Sequence, residues 1–338
     1  MAVKPWFAGA IAGLVLLAAA CGDDDPDTAA TTSAAPATSA PSASTAASSS
    51  TPAATTEPAA TVPTTAAAST APTTDAGGDV PVRIVSLSPT HTETLFAIGA
   101  GDQVIAVDDQ SNHPPEAEAV RTDLSGYQPN VEAIAAYEPD LVVTSGDDTL
   151  TEQLEALGLS VWTGPSATSF DEAYTQIEQL GAATGHVAEA AELVGQMQTD
   201  LDAMAADLPT SETPLTIFHE LSSDGYSASS ATFIGQIYEL FGLRNIADAA
   251  EDESGYPQLN AETIIEANPD LIFLADTKCC GESLETVAAR DGWDQIAAVQ
   301  NGHVFAMDDD VASRWGPRFV EYAQQVHDAV EQVLVPAG

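Results

Sequence analysis

Basic residues are scarce in this chain of 338 residues, which holds 8 Lys and Arg against 51 Asp and Glu. The resulting formal net charge of -43 would repel the phosphate backbone of a nucleic acid, which excludes nucleic acid as a partner. Apolar residues are not scarce, since hydrophobic side chains make up 44% of the chain. We therefore expect a sizeable buried core rather than an acidic disordered tail.

The sequence also lacks the short motifs that mark common catalytic sites. It contains no G-x-S-x-G elbow, no H-E-x-x-H zinc motif and no phosphate-binding P-loop. Gly99 and Gly101 resemble the start of a dinucleotide-binding fingerprint, but they follow an expected helix and lack the third glycine, so they indicate a helix end. We expect a protein that is not an enzyme and has no resident cofactor or metal.

No long apolar run is present either. The run from Trp6 to Ala20 has about fifteen residues, which is short for a membrane-spanning helix. Together with Lys4 and the alanines before Cys21, it describes a secretory signal peptide over residues 1–20. Cys21 in this position resembles the lipidated cysteine of bacterial lipoproteins, and an ordinary signal peptide with an incidental cysteine is the alternative.

A segment of low complexity follows the signal. Between residues 28 and 74, every residue except Glu57 and Val62 is Ala, Ser, Thr or Pro, a composition that offers no apolar face to pack. We expect a disordered tether over 21–79, an N-terminal lobe over 80–185, an interlobe helix over 186–209 and a C-terminal lobe over 210–338.

A duplication is the most informative feature of the folded part. The segment 130–143 (NVEAIAAYEPDLVV) returns as 260–273 (NAETIIEANPDLIF). Each copy begins with an Asn that can cap a helix, places a Glu in the first turn, stops at a Pro and enters an apolar run typical of a buried strand. The sequence thus predicts two related lobes.

The segments upstream of each copy predict matching strands and helices. Residues 83–87 are expected to form a strand, followed by a polar loop over 88–91 and a helix that ends at Gly99; residues 215–218 begin the equivalent unit. The fold class is therefore α/β, with two Rossmann-like lobes of mostly parallel sheet. An apolar stripe over 170–180 predicts one helix. A second stripe, which begins after Gly185 and runs to Leu208, predicts the single long helix that joins the lobes, with a ligand cleft between them.

In the order and spacing of several motifs, the chain resembles the substrate-binding lipoproteins of ABC importers, in the helical-backbone class that carries cobalamin and iron siderophores. These motifs are RIVSLSP at 83–89, HPPE at 113–116, the two Asn-x-Glu repeats and RWGPR at 314–318. The resemblance implies that Glu132 and Glu262 dock to permease subunits. Complementing the dipoles of their own helices is the alternative role for these two glutamates.

The same resemblance places the ligand site in loops at the strand ends. The residues implied are Pro89, His91, His113, Tyr127, Tyr226, Tyr256, Arg314 and Trp315. Aromatic faces suit a flat metal chelate, and packing on their own lobes is the alternative for the tyrosines. Arg314 and Arg318 either meet an anionic ligand group or pair with the acids at 308–310.

Two further groups of residues invite other interpretations. His91, His113 and His219, with acids nearby, would suit a zinc or manganese ion receptor, whereas His186, His303 and His327 are interpreted as exposed. Cys279 and Cys280 are adjacent, and either a vicinal disulfide or two free thiols fits the sequence.

The expected function is to capture a metal chelate and deliver it to the membrane permease. The scarcity of basic groups favours a near-neutral cobalamin or other corrinoid. A ferric siderophore or haem is the alternative ligand, and a surface lipoprotein without transport function is a further possibility. Expected partners are the permease with its ATPase, the chelate and, through the lipid, the outer face of the cytoplasmic membrane, with the chain itself a monomer.

Overall fold

The computed structural model describes residues 80–209, 213–250 and 252–335. The signal peptide, Cys21 and the tether expected at 21–79 lie outside these residues. Within the described part, none of the helices combines the length and apolar character needed to cross a bilayer.

The N-terminal lobe is built on a four-stranded, fully parallel sheet. Its strands lie side by side in the order β2-β1-β3-β4. Their bounds are β1 Ile84–Ser86, β2 Val104–Val107, β3 Leu141–Thr144 and β4 Val161–Thr163. β1 and β3 are buried along their whole length, because helices cover both faces of the sheet.

The C-terminal lobe repeats this arrangement. Its parallel sheet has the order β6-β5-β7-β8, with β5 Thr216–Glu220, β6 Arg244–Asn245, β7 Leu271–Leu274 and β8 Val304–Ala306. The fold class expected from the sequence, two parallel-sheet α/β lobes, is confirmed.

Thirteen helices surround the sheets in the described residues. Those of the N-terminal lobe are α1 Pro89–Ala97, α2 Pro115–Glu118, α3 Val131–Ala135, α4 Asp148–Ala156 and α5 Phe170–Thr184. α6 Val187–Asp207 leads to the second lobe, which holds α7 Phe233–Leu240, α8 Ala261–Ala267, α9 Thr277–Cys280, α10 Leu284–Ala288, α11 Ala297–Asn301, α12 Asp309–Ala312 and α13 Phe319–Leu334.

The duplicated segment folds alike in both lobes. Asn130 Oδ1 accepts the Ala133 N–H at 2.9 Å, and Asn260 Oδ1 accepts the Thr263 N–H at 2.8 Å, so both asparagines cap their helices as expected. The Asp of each repeat then fixes the start of its lobe, because Asp140 accepts the Val82 N–H and Asp270 accepts the Thr216 N–H.

The segment after β1 differs from the expectation. The sequence predicts a polar loop over residues 88–91, but α1 begins at Pro89 and already contains Thr90 and His91. Ser88 stands at the N-cap with extended backbone and Pro89 occupies the first helical position, where its fixed φ and missing N–H cost nothing. The polar residues therefore belong to a buried first turn.

Apolar packing is continuous from one lobe to the other. One cluster of buried side chains contains residues of β1 and α1, of α5 and α6, and of β5, α7 and α13. Phe170 of α5 is partly buried and packs against this cluster, where it meets Phe233 of α7 and Phe319 of α13, with ring centroids 5.0 to 5.5 Å apart in each pair. The lobes are therefore joined by a shared core as well as by α6.

Candidate functional site

A cavity of about 270 Å³ lies between the lobes. On the N-terminal side it is bounded by residues that follow β1, β2 and β3, and on the other side by α12 and the turn before α13. Because the carboxyl ends of parallel strands meet at one edge, this is where an α/β lobe presents a ligand site. The lining residues are Leu87, Ser88, Pro89, Thr90, Asp108, Gln110, Gly126, Tyr127, Ser145, Asp310, Ser313, Arg314 and Trp315.

Of the ligand-site residues predicted from the sequence, four lie together in this lining: Pro89, Tyr127, Arg314 and Trp315. Tyr127 is 87% exposed and stands at the rim, where its ring is free to meet a ligand. The indole N–H of Trp315 donates to Gln176 Oε1 at 3.0 Å, which holds the indole in place at the cavity wall.

His91 lies beneath the cavity rather than in its lining. Its ring is buried, with Nδ1 2.8 Å from Ser88 Oγ and Nε2 3.0 Å from Gln176 Oε1, and it packs edge-on against Trp162 and Trp315. Burial lowers the pKa of His91 to about 4, against the opposing effect of the Gln176 hydrogen bond. The neutral ring therefore supports Trp315 and cannot itself reach a ligand in this conformation.

The remaining nominated residues stand elsewhere. Tyr226 and Tyr256, each 44% exposed, lie on loops of the C-terminal lobe and are not in the cavity lining. His113, which precedes a cis peptide bond to Pro114, lines a separate hollow of about 330 Å³ beside Glu93, Phe96 and Arg318.

An ion-pair network crosses from lobe to lobe next to the cavity. Glu93 of α1 is buried and accepts from Arg314 Nη1 at 2.6 Å, from Arg318 Nη2 at 2.6 Å and from Arg318 Nε at 2.9 Å. Arg314 also pairs with Asp310 at 2.9 Å. Arg314 therefore pairs with one of the acids at 308–310, which was one of the two alternatives from the sequence. Glu93, which the sequence did not single out, is the shared partner of both arginines.

Glu132 and Glu262 occupy equivalent positions in α3 and α8. Each is the second residue of its helix and is exposed, and neither carboxylate has a hydrogen bond or ion pair among the residues that the structure describes. The two repeats thus present a pair of unengaged carboxylates, one on each lobe.

The two adjacent cysteines form a vicinal disulfide at the end of α9, with Cα atoms 3.8 Å apart. The Asp309 carboxylate accepts the backbone N–H groups of Thr277, Lys278 and Cys279 at 2.8 to 3.0 Å. Lys278 Nζ in turn contacts Asp308 at 2.5 Å. The acids at 308–310 therefore anchor the disulfide-bearing turn next to the cleft.

A buried cluster of charges lies where β5 and β7 end. Arg290 donates to both carboxylate oxygens of Glu220, at 2.6 and 2.7 Å, and to Glu282 at 2.6 Å. Asp276 beside them is fully buried, and neither of its oxygens has a hydrogen-bond partner in the described structure. Burial, with Glu220 and Glu282 adding repulsion and Arg290 opposing, raises the pKa of Asp276 to about 7.

The Asp276→Asn variant should be more stable than wild type at pH 8, with a free energy of unfolding about 1–2 kcal/mol higher. Since the folded pKa of Asp276 lies above the unfolded value, wild-type stability falls as the pH rises from about 4 to about 7, so the gain should shrink at pH 5. Urea unfolding at both pH values measures the difference, with Asp294→Asn on the exposed surface as control. Equal gains at pH 5 and pH 8 would contradict this account.

The histidines do not assemble a metal site of the kind considered from the sequence. Within the described residues, the side chains of His91, His113 and His219 form no common cluster of metal-ligand geometry. His219 is buried with Nδ1 2.7 Å from the Tyr238 hydroxyl. The interpretation of His327 as exposed was wrong, because α13 turns its ring into the shared core, where it packs near Phe241.

Comparison with known proteins agrees with this architecture. Residues 84–311 match the sequence profile of a family described as periplasmic binding protein. An uncharacterised ABC transporter substrate-binding lipoprotein of Bacillus subtilis is 32% identical over 259 residues, which cover 74% of this chain and 80% of that protein. A cobalamin-binding protein of Halobacterium salinarum is 30% identical over 264 residues, covering 75% of this chain and 71% of that protein.

A solved structure extends the likeness to three dimensions. The periplasmic haem-binding protein of Vibrio cholerae matches with a TM-score of 0.66 at 25% identity, over 75% of this chain and 99% of that one. The chain therefore belongs to the periplasmic binding protein family, and the resemblance drawn from its sequence motifs is confirmed.

Proposed function

We propose that this chain is the extracytoplasmic substrate-binding component of an ABC importer and that it captures a metal chelate, with cobalamin or another corrinoid favoured. The observation that carries the proposal is the cavity between the two lobes, lined by Trp315, Tyr127 and a set of hydroxyl groups. Flat chelates bind to aromatic faces with a few polar groups that fix their orientation. The names of the two relatives, one for ABC transport and one for cobalamin, support the same class.

The size of the cavity indicates how such a ligand would sit. Its volume of about 270 Å³ is slightly below the roughly 300–1,000 Å³ typical of small-molecule sites. A large macrocycle would therefore insert one edge between the lobes and leave the rest at the mouth, against the exposed ring of Tyr127. The shared core and the Glu93 ion pairs allow only a small closing motion.

Delivery would use the two unengaged carboxylates. Glu132 and Glu262 occupy equivalent positions on the two lobes, so they suit two copies of a basic permease surface, with charge pairing setting the register. A lipid on Cys21 and the tether would keep the monomeric folded part near the outer face of the cytoplasmic membrane. ATP hydrolysis by the transporter, and no chemistry in this chain, would then drive release.

A ferric siderophore is the alternative ligand. The one basic side chain in the cavity lining, Arg314, is already paired with Glu93 and Asp310. A neutral or cationic siderophore would be accepted on the same electrostatic grounds as a corrinoid, and haem with its two carboxylates would be disfavoured.

Titration of the full-length protein with cyanocobalamin, ferrioxamine B and haemin, followed by tryptophan fluorescence, tests the proposal. We expect quenching by cyanocobalamin, because Trp315 lines the cavity. The Trp315→Phe variant should lose most of this signal, whereas Trp293→Phe, which alters a residue of a separate buried cluster, should keep it. Absence of binding to every chelate, checked by equilibrium dialysis, would overturn the proposed function.

A further inference from the structure

The charged groups around the cavity are almost all paired. Arg314 is held by Glu93 and Asp310, and Asp310 also contacts Lys278 at 3.2 Å and Asn112 at 3.0 Å. These contacts leave no spare positive charge for an anionic ligand, and they neutralise the carboxylate of Asp310.

Asp108 is the exception. It directly follows β2 and lines the cavity, yet it is only 1% exposed, and its Oδ1 atom is buried with no hydrogen-bond partner among the described residues. Burial raises the pKa of Asp108, an effect that Ser111 opposes and the nearby charge of Asp109 reinforces. An unpaired buried acceptor costs about 1–3 kcal/mol, which a protein recovers when a bound molecule supplies the missing donor.

The loop that carries Tyr127 passes directly over this carboxylate. A Cβ atom at Gly126 would lie 2.4 Å from the Leu87 carbonyl oxygen and 3.2 Å from Asp108 Oδ2, so only glycine allows the loop to come this close. Tyr127 and Asp108 are thereby held in one wall of the cavity, with the hydroxyl-bearing residues Ser88 and Ser145 beside them.

We propose that Asp108 determines which chelates the cleft accepts, by taking a hydrogen bond from an N–H or ammonium group at the inserted edge of the ligand. This inference rests on the proposed function and narrows its substrate class to neutral or cationic chelates with donor groups at their periphery. Primary amides at the edge of a corrinoid or the ammonium group of a hydroxamate siderophore satisfy Asp108. The carboxylates of haem meet it with like charge.

The test is the Asp108→Asn variant of the full-length protein, titrated with cyanocobalamin, ferrioxamine B and haemin. The variant should bind its donor-bearing chelate about tenfold more weakly than wild type, and the preference over haemin should shrink by at least that factor. Asp102→Asn, which removes an exposed carboxylate of the same lobe outside the cavity lining, is the matched control and should change neither quantity.

The outcomes separate the two proposals. If wild type binds a chelate while Asp108→Asn and Asp102→Asn both keep its affinity and selectivity, the role of Asp108 is wrong and the proposed function stands. If wild type prefers haemin, the charge selection is wrong. If wild type binds none of the three, both proposals fail. Thermal unfolding shows whether the variant is folded, and Asp108→Ser, which is smaller and uncharged, should reproduce the loss.

Discussion

Replacing Glu93 with Ala should lower the free energy of unfolding by about 3–5 kcal/mol, because it leaves the guanidinium groups of Arg314 and Arg318 without their shared carboxylate. All three side chains are largely buried, so water cannot compensate fully for the lost contacts. Urea unfolding monitored by far-UV circular dichroism gives the difference.

Two further variants test whether the loss comes from the unpaired buried charges. Glu189→Ala removes an exposed glutamate of α6 and should change the stability by less than about 0.5 kcal/mol. Replacing Glu93, Arg314 and Arg318 together with Leu should recover part of the loss, since no charge then remains unpaired. A Glu93→Ala variant within 1 kcal/mol of wild type would show that the lobes do not depend on this network.

Reversing the charge at Glu132 and Glu262 together should reduce uptake of the chelate at least tenfold, with no change in the affinity of the purified protein for it. Truncating a paired charge at a docking interface costs about 2–5 kcal/mol, and reversal adds repulsion from a basic partner surface. The measurement is accumulation of labelled chelate by cells that produce the variant and its transporter, alongside a binding titration of the same variant.

The matched control reverses two other exposed glutamates, Glu155 of α4 and Glu239 of α7, one on each lobe and neither in the repeated helices. It makes the same change in net charge and should leave uptake within about twofold of wild type, because scattered surface charges contribute little to a specific interface. Equal losses in both double variants would point to a general effect of charge, and unchanged uptake would remove Glu132 and Glu262 from the docking surface.

The features that sequence reasoning recovered are those with local causes. The Asn caps and the apolar strand runs depend on neighbouring residues, so the duplication predicted both lobes. The first repeated helix, however, already ends at Ala135, before Pro139. Likewise Trp315 and Arg314 share one short motif, and both reached the cavity.

The features that were missed depend on contacts between distant segments. Glu93 meets arginines more than two hundred positions away along the chain. The one signal in the sequence was that Arg314 and Arg318, two of the chain's few basic residues, lie close together. Asp108 was overlooked because its importance lies in having no partner. The sequence predicts His91 as a loop ligand because Ser88 and Pro89 also suit a turn, but in the structure the same pair starts a helix.

The core shared by α5, α6, α7 and α13 also bears on how the molecule comes apart. Separating Phe170 from Phe233 and Phe319 would expose apolar surface on both lobes at once. We therefore expect the two halves of the duplication, although each repeats the same strand order, to unfold as one cooperative unit, so that a destabilising change in either half lowers the melting temperature of both.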